Sequence, residues 1–310
     1  MISNTLLLPF ICFGVYLLLE AADWGVSLAA PYVSRNDEEC KATLGLLKPG
    51  WDGNELWLLF GLLSLGASAP SLAGSTQGMI LAVLAVLGAV LRLAGCFAKA
   101  ALGKKTIARL VSSFSVFALF LMSLAGSSFL QEGGSMVSAF GILFAIWMVL
   151  EMFQMGSIYG ACKVVNPLGE RFRASFLVTG ILSLVLFLIS FGLLYVNVGD
   201  VYQYNTLTWL AMAGGSVVFF LVAFVSTRMR HVAVGLVASY ISCALALLVF
   251  LTAGASAVAV HHSVELTALQ QFQDSTLGMA LLGGGVILSL ASFAYRVLRK
   301  KEEYVWDDHV

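Results

Sequence analysis

Four carboxylates and one guanidinium lie within or beside long apolar segments in the first third of the chain. Glu20 and Asp23 are three residues apart, so they share one face of a helix. Asp52 and Glu55 repeat this spacing at the start of a second apolar segment, and Arg92 lies near the end of a third. A charge inside a bilayer costs at least about 2.5 kcal/mol on insertion scales, so each such residue is a functional hypothesis. Neighbouring carboxylates that repel one another can bind protons and pass them on.

A structural interpretation of the same residues stays open. Asp52 could cap the second helix, because aspartate is among the preferred residues at helix starts. Arg92 could simply neutralise a nearby carboxylate. Glu151 lies inside a later apolar segment, and the sequence around it does not indicate a role.

The composition explains why these charges are costly. Hydrophobic residues make up 60% of the 310 residues and charged residues only 11%, whereas a soluble domain carries roughly 25% charged residues. This excess of apolar surface predicts a protein embedded in a lipid bilayer. The formal net charge is zero, so nothing in the charge balance indicates nucleic-acid binding.

Nine segments are long and apolar enough to span a bilayer, which takes about 20 residues. The predicted spans are 5–30, 54–72, 77–98, 110–130, 137–161, 174–197, 206–226, 231–257 and 276–297. Helices satisfy their own backbone groups in lipid, so we expect an all-α, polytopic transmembrane bundle. The gaps between spans are short, which predicts a single integral membrane domain over 1–310.

The basic residues predict the orientation of these spans. Of the 17 lysines and arginines, all except Arg92 lie in the loops after spans one, three, five and seven or at the C-terminal end. Cytoplasmic loops are enriched in such residues, so the N-terminus is expected outside and the C-terminus in the cytoplasm. This topology brings the four acids and Arg92 together near the cytoplasmic surface.

Ligands for a haem or a metal are scarce in the sequence. The four histidines are His231, His261, His262 and His309, and none falls in the middle of a predicted span. A haem in a helical bundle usually hangs from inward-facing His, Met or Cys side chains, so we expect no haem on this chain. The pair His261 and His262 is interpreted as part of a solvated outer loop, and no metal site is predicted.

Two motifs resemble subunit II of cytochrome bd-type quinol oxidases. The first is EAADWGV at 20–26 and the second is WDGNELW at 51–57. Weaker similarities continue at Arg92, in the segment 156–173 and at 295–299. The chain departs from the family pattern between the first two acids and after Arg92, where an acidic residue is replaced. It is therefore identified as a divergent member, with specific resemblance over about the first 100 residues.

The resemblance implies the second subunit of an electrogenic oxygen-reducing ubiquinol or menaquinol oxidase, which is not catalytic alone. In that family the partner, subunit I, holds haem b, haem d and the quinol site. The second subunit binds no haem, supports assembly and contributes a proton path from the cytoplasm. Some members also have a dioxygen route, a structural quinone or small accessory subunits. The nine spans would form two four-helix groups plus a peripheral helix in a prokaryotic inner membrane.

The resemblance also assigns roles to individual residues by position. The proton-path candidates are Asp52, Asp23, Glu20 and Glu55, with Asp52 foremost. The candidates for interface or support are Trp51, Trp57 and Arg92. No residue of this chain is expected to be catalytic or to bind metal.

Two further functions are compatible with the same acids. A proton-coupled secondary transporter also clusters carboxylates inside the membrane. The paired Gly/Pro interruptions that mark many transporters are weak here, with Pro70 near the end of the second span. A purely structural subunit is the other alternative. A haem d absorption band in the purified complex would distinguish the oxidase from both.

The charge pattern yields a direct test of topology. In a variant without native cysteines, a membrane-impermeant thiol reagent added to intact cells should label Ser135→Cys and leave Lys104→Cys unlabelled. The reason is that Lys104 lies in a basic loop, whereas Ser135 lies in a loop with no Lys or Arg. Labelling of position 104 from outside would contradict the orientation.

Overall fold

The part of the chain that the structure describes is helical. The computed structural model describes residues 4–47, 53–76, 78–88, 90, 105–128, 130, 137–198, 206–261, 264 and 266–298. All the secondary-structure elements in these ranges are α-helices, which confirms the predicted all-α class. The helices are α1 (Asn4–Val33), α2 (Asp37–Gly45), α3 (Glu55–Ser68), α4 (Pro70–Ala73), α5 (Gly78–Gly88), α6 (Lys105–Ser128), α7 (Ala139–Lys163), α8 (Asn166–Val198), α9 (Thr206–Arg228), α10 (Val232–His261), α11 (Leu266–Gln273) and α12 (Thr276–Leu298).

Six of these helices are long and apolar enough to cross a membrane. They are α1, α6, α7, α8, α9 and α10, and they correspond to the first and the fourth to eighth predicted spans. In the described part of the chain, α11 and α12 form a seventh candidate, a pair bent by 62° at a short break. The predicted multi-span helical architecture is therefore present, while the count of nine stays a prediction.

The second and third predicted spans account for the difference. The segment 54–72 is broken at Ala69, because the residue before Pro70 is pushed out of the helical region. Its main helix, α3, has 14 residues and rises only about 21 Å, less than the roughly 30 Å hydrocarbon core. Only the first half of 77–98 is described, as α5.

Several other predicted boundaries differ from the observed helix ends, including the start of α6, which is Lys105 instead of residue 110. Helix α8 begins at Asn166, eight residues before the predicted start, because its first turns carry Glu170, Arg171 and Arg173 and so escape an apolar criterion. Helix α10 extends to His261, which was predicted to lie in a loop. His262 lies outside the described residues.

The closest contact between two long helices joins α1 to α7. A Cβ built on Gly156 would lie 1.9 Å from the carbonyl carbon of Gly25, and one on Gly25 would lie 2.0 Å from the carbonyl oxygen of Met152. No real side chain fits at such distances. The two backbones therefore touch, which is the small-residue contact typical of membrane helices.

Contacts with α10 fix the relative direction of these two helices. Along α10, Leu251 faces Gly14 of α1 and Gly254 faces Phe10, so α1 and α10 are antiparallel. Phe250 of α10 packs on Phe144 and Trp147 of α7, while Cys243 bonds Glu151 further along α7. Helices α7 and α10 are thus antiparallel too, and α1 and α7 run parallel.

The remaining described contacts surround this pair. Helix α7 packs extensively on α8, and α10 on α9, while α1 also contacts α3 and α6. Apolar side chains on the outer faces of α8 and α9 are exposed, among them Leu182 and Val218, as expected of lipid-facing surfaces. Helix α1 packs more extensively on α7 than on α3, α6 or α10. The described contacts therefore do not separate the helices into two groups, and the division into two four-helix groups stays a prediction.

The short helix α2 is held by a buried ion pair. Asn36 caps α2 through the backbone N–H of Glu39, at 2.8 Å. The Glu39 carboxylate, 1% exposed, accepts from the Arg171 guanidinium of α8 and from the Arg35 backbone N–H at 2.6 Å. The pair thus ties the segment after α1 to the start of α8.

The contact between Gly25 and Gly156 generates a stability prediction. Gly156→Ala should lower the free energy of unfolding by about 1–3 kcal/mol, as overpacked cores do, because the added methyl group would overlap the α1 backbone. Gly214→Ala on α9 is the matched control, since nothing lies within 4 Å of its built Cβ. Thermal unfolding of the purified protein would measure both, and equal stability of the two variants would contradict the backbone contact.

Candidate functional site

Three of the four predicted acids lie in the described part of the chain, and all three are buried. Glu20 and Asp23 are on α1, with exposures of 0% and 2%, and Glu55 begins α3 with 9%. Asp52, Trp51 and Arg92 lie outside the described residues. The structure thus brings acids of α1 and α3 into one buried region, while the roles assigned to them stay predictions.

A short hydrogen bond joins the two helices at this region. The Asn54 amide donates from Nδ2 to Oε1 of Glu20 at 2.7 Å, and both residues are fully buried. Asn54 is also the N-cap residue of α3, and the interpretation of Asp52 as a helix cap stays a prediction because Asp52 lies outside the described residues. The Asn54 side chain makes no capping bond to its own helix and instead donates to Glu20 of α1.

The local backbone explains how Asn54 reaches α1. Gly53 has φ of +80°, in the left-handed region that favours glycine. A Cβ at Gly53 would also lie 2.4 Å from Cδ1 of Leu288 on α12. The turn before α3 is thus tight and covered, and only glycine fits there. The Gly-Asn pair of the WDGNELW motif has a structural reason in this turn.

The start of α3 favours negative charge. Unpaired backbone N–H groups and the helix dipole make a helix N-terminus a good site for carboxylates. Glu55 lies in the first turn of α3. Glu20 of α1 accepts a hydrogen bond from Asn54, the residue that precedes Glu55. Buried polar groups of this kind are stable only when bonded. The region can therefore hold carboxylates that would otherwise be expelled from a membrane interior.

Trp57 connects the site to α12. Its indole Nε1 donates to Oγ of Ser289 at 2.8 Å, and the ring lies against Gly285, whose built Cβ would be 3.2 Å away. Helix α3 thereby holds α12 through one polar and several close apolar contacts. This arrangement agrees with a supporting role for Trp57, and the predicted interface stays untested.

The sequence analysis missed three residues that make polar contacts between helices: Asn54, Ser289 and Glu39. Asn54 was noted only as a motif letter, although a small amide between two acids of a membrane protein is itself a signal. Ser289 carries no distinguishing pattern, because serines are common along these helices. The buried acid Glu39 was overlooked because it lies outside every apolar segment.

An apolar cavity of about 160 Å³ lies beside the site. It is lined by residues of α1, α3, α4, α5, α6, α7 and α10. Its lining includes Phe13, Tyr16, Leu58, Met122, Phe144 and Phe250. A cavity of about 150 Å³ with such walls stays dry and accepts small apolar molecules.

No group of three or more His, Cys, Asp or Glu side chains that could hold a metal occurs among the residues that the structure describes. The four cysteines in these ranges, Cys12, Cys40, Cys162 and Cys243, are free thiols. In the described ranges no histidine lies in the interior of a helix, since His231 precedes α10 and His261 ends it.

Comparisons with known proteins agree with this architecture. A family model described as cytochrome bd terminal oxidase subunit II matches residues 3–298. Cytochrome bd ubiquinol oxidase subunit 2 of Bacillus subtilis (strain 168) is 30% identical over 87 residues, which span 26% of this chain and 26% of that protein. A chain of the bd oxidase structure from Geobacillus thermodenitrificans superposes with a TM-score of 0.72 at 17% identity, covering 95% of this chain and 97% of that one.

The helices, their burial and the superposition define a multi-span helical membrane protein with the fold of a bd oxidase chain. The chain belongs to the cytochrome bd terminal oxidase subunit II family. The family predicted from the two motifs is therefore confirmed.

The bond between Asn54 and Glu20 generates a second stability prediction. Asn54→Ala should cost about 1–3 kcal/mol of unfolding free energy, because the buried Glu20 carboxyl loses its donor. Denaturant unfolding of the purified protein measures the loss, with the exposed Ser113→Ala as the control. In a Glu20→Ala background the Asn54 substitution should cost much less. Strictly additive losses would show that the two side chains do not interact.

Proposed function

We propose that this chain is the haem-free second subunit of a cytochrome bd-type quinol oxidase in a prokaryotic inner membrane. It would assemble with a haem-bearing subunit I, which oxidises ubiquinol or menaquinol and reduces dioxygen. Small accessory subunits are compatible with this assembly. The observation that carries the proposal is the family match over nearly the whole chain.

The donor groups of this chain support placing the haems on the partner. His231 precedes α10 and His261 ends it, so neither lies at mid-membrane depth. Cys243, an interior candidate, is already bonded to Glu151. The described residues do not fit a haem site, which supports assigning haem b and haem d to subunit I.

The buried acids support a proton path from the cytoplasm. Glu55 lies in the first turn of α3, where the helix dipole stabilises a carboxylate, and Asp52 precedes it by three residues in the sequence. Glu20 lies next, bonded to Asn54, and Asp23 is one turn from Glu20 on α1. A proton taken up at Asp52 could pass to these acids, each accepting it on one carboxylate oxygen and releasing it from the other. Their burial keeps bulk water away from this relay.

The apolar cavity supports a further part of the proposal. Its volume of about 160 Å³ suits dioxygen or a short piece of an isoprenoid tail. It is smaller than the roughly 300 Å³ at which ligand pockets begin. We therefore favour a dioxygen route over a quinone headgroup at this position.

Asp52→Asn tests the proton path. The substitution should reduce quinol-driven oxygen consumption to a small fraction of the parent rate, because an amide of the same shape cannot take up and release a proton. Glu20→Gln should also reduce oxygen consumption, because the glutamine amide cannot take up and release a proton. Asn54 can still donate to the glutamine carbonyl, so the contact between α1 and α3 should survive. Oxygen uptake by the purified complex is measured together with its haem content, which should stay near normal.

Glu170→Gln is the matched control. Glu170 is half-exposed at the start of α8 and pairs with Arg173, so its loss should leave turnover unchanged. Full turnover of Asp52→Asn with a full haem complement would refute the relay role. Loss of the haems in both Asp52→Asn and Glu20→Gln would instead indicate a structural role in assembly.

A further inference from the structure

A second buried carboxyl lies far from the acids of α3. Glu151 is at the centre of α7, twelve residues from either end, or about 18 Å along the helix axis. It is 4% exposed. Ser183 of α8 donates to its Oε2 at 2.6 Å, and the Gln154 amide donates to the same oxygen. Cys243 of α10 completes the surroundings with a further hydrogen bond.

No cation balances Glu151 among the described residues around it. Cys243 is the titratable neighbour from α10, and α8 contributes only the hydroxyl of Ser183. Helix α1, which also packs on α7, has the acids Glu20 and Asp23, and Glu20 is bonded to Asn54 of α3. The described part of α6 has charged residues only at its start. An unpaired carboxylate is very costly at this depth, so Glu151 holds a proton.

Polar groups continue from Glu151 toward the end of α7. The Oε1 of Gln154, a residue only 3% exposed, accepts no hydrogen bond from any described residue and faces Gly180 of α8, whose built Cβ would be 3.0 Å away. Ser239, one turn from Cys243 on α10, is buried with a hydroxyl that is likewise unbonded within the described ranges.

This polar line comes closer to the surface in the next turn. Ser157 of α7 donates to Ser175 of α8 at 3.3 Å, and Ser175 is half-buried. Ser157 is six residues beyond Glu151, about 9 Å along the axis. The charge pattern assigns this end of α7 to the cytoplasm.

The opposite side of Glu151 is closed by aromatic rings. Trp147 lies one turn before Glu151, and its ring centroid is 5.0 Å from that of Phe250 and 5.6 Å from that of Phe187. Phe144 joins them at 4.8 Å from Phe250. Helices α7, α8 and α10 each contribute at least one ring to this layer. Of these four side chains only Trp147 has a polar atom, and its indole N–H donates but cannot accept a proton.

We propose that Glu151, Gln154, Ser183 and Cys243 form a site that binds one exchangeable proton and opens only toward the end of α7. The Glu151 carboxylic acid releases its proton to a water molecule that enters beside Oε1 of Gln154, and the hydronium ion leaves past Ser239 and Ser157 at that end. The remaining carboxylate is held by the donors Ser183 and Gln154 until a proton returns by the same route. This site is separate from the acids of α1 and α3 and does not depend on their role.

Infrared spectroscopy of the purified full-length protein, with whatever subunits co-purify, tests the site. A change from H₂O to D₂O buffer should shift one carboxylic acid C=O band, and that band should be absent in Glu151→Gln. It should persist in the control Glu170→Gln. Ser183→Ala should raise the band frequency, because the hydroxyl that bonds the C=O oxygen is lost. This variant removes one hydroxyl and keeps the test decisive if Glu151→Gln does not fold.

The rate of deuterium exchange tests the direction of access. Ser157→Ala should slow exchange of the Glu151 band several-fold, because it interrupts the polar line. Ser190→Ala should leave the rate unchanged, since buried Ser190 lies seven residues beyond Ser183, past the ring of Phe187. Absence of a Glu151-dependent band would show an ionised carboxylate and overturn the proposal. A band that never exchanges, or slower exchange in Ser190→Ala alone, would also overturn it.

Discussion

The contact between Gly25 and Gly156 is the constraint on which the other contacts depend. At this point the backbones of α1 and α7 touch, so the residues before and after each glycine are held in register. In a bilayer, helices gain little from excluding water, and close backbone packing supplies much of the attraction between them. Helix α1 then carries α3 on one side, through the bond between Glu20 and Asn54. Helix α7 carries α8 on its other side, through Glu151 and Ser183.

This crossing also places two buried carboxyls at one depth. Glu20 precedes Gly25 by five residues and Glu151 precedes Gly156 by five, and the two helices run parallel. Each acid lies about 7–8 Å from the crossing along its own helix. Each also has an amide neighbour, Asn54 for Glu20 and Gln154 for Glu151. Two separate polar centres are therefore built on opposite sides of one helix pair.

Hydropathy was sufficient to predict the helical class and six of the spans, because long apolar runs leave a lipid-embedded chain little alternative to helix. It failed where charge or proline interrupts the run, at the start of α8 and at Ala69 before Pro70. The two motifs were sufficient for the family. They also singled out Glu20, Asp23 and Glu55, which the structure shows to be buried. The partners Asn54, Ser183 and Ser289 were not predictable, because a side-chain bond between distant helices depends on their rotation and register.

The ion pair between Glu39 and Arg171 has a consequence for the order in which the chain is assembled. The two residues are separated by 132 positions, which a ribosome takes roughly ten seconds to translate. Until Arg171 emerges, burying Glu39 would leave an uncompensated charge, a loss of several kcal/mol. Helix α2 is therefore expected to stay at the aqueous surface while the spanning helices α6 and α7 are inserted, and to dock when the first turns of α8 arrive. On this reasoning the ion pair forms late in biogenesis and joins the segment after α1 to the start of α8.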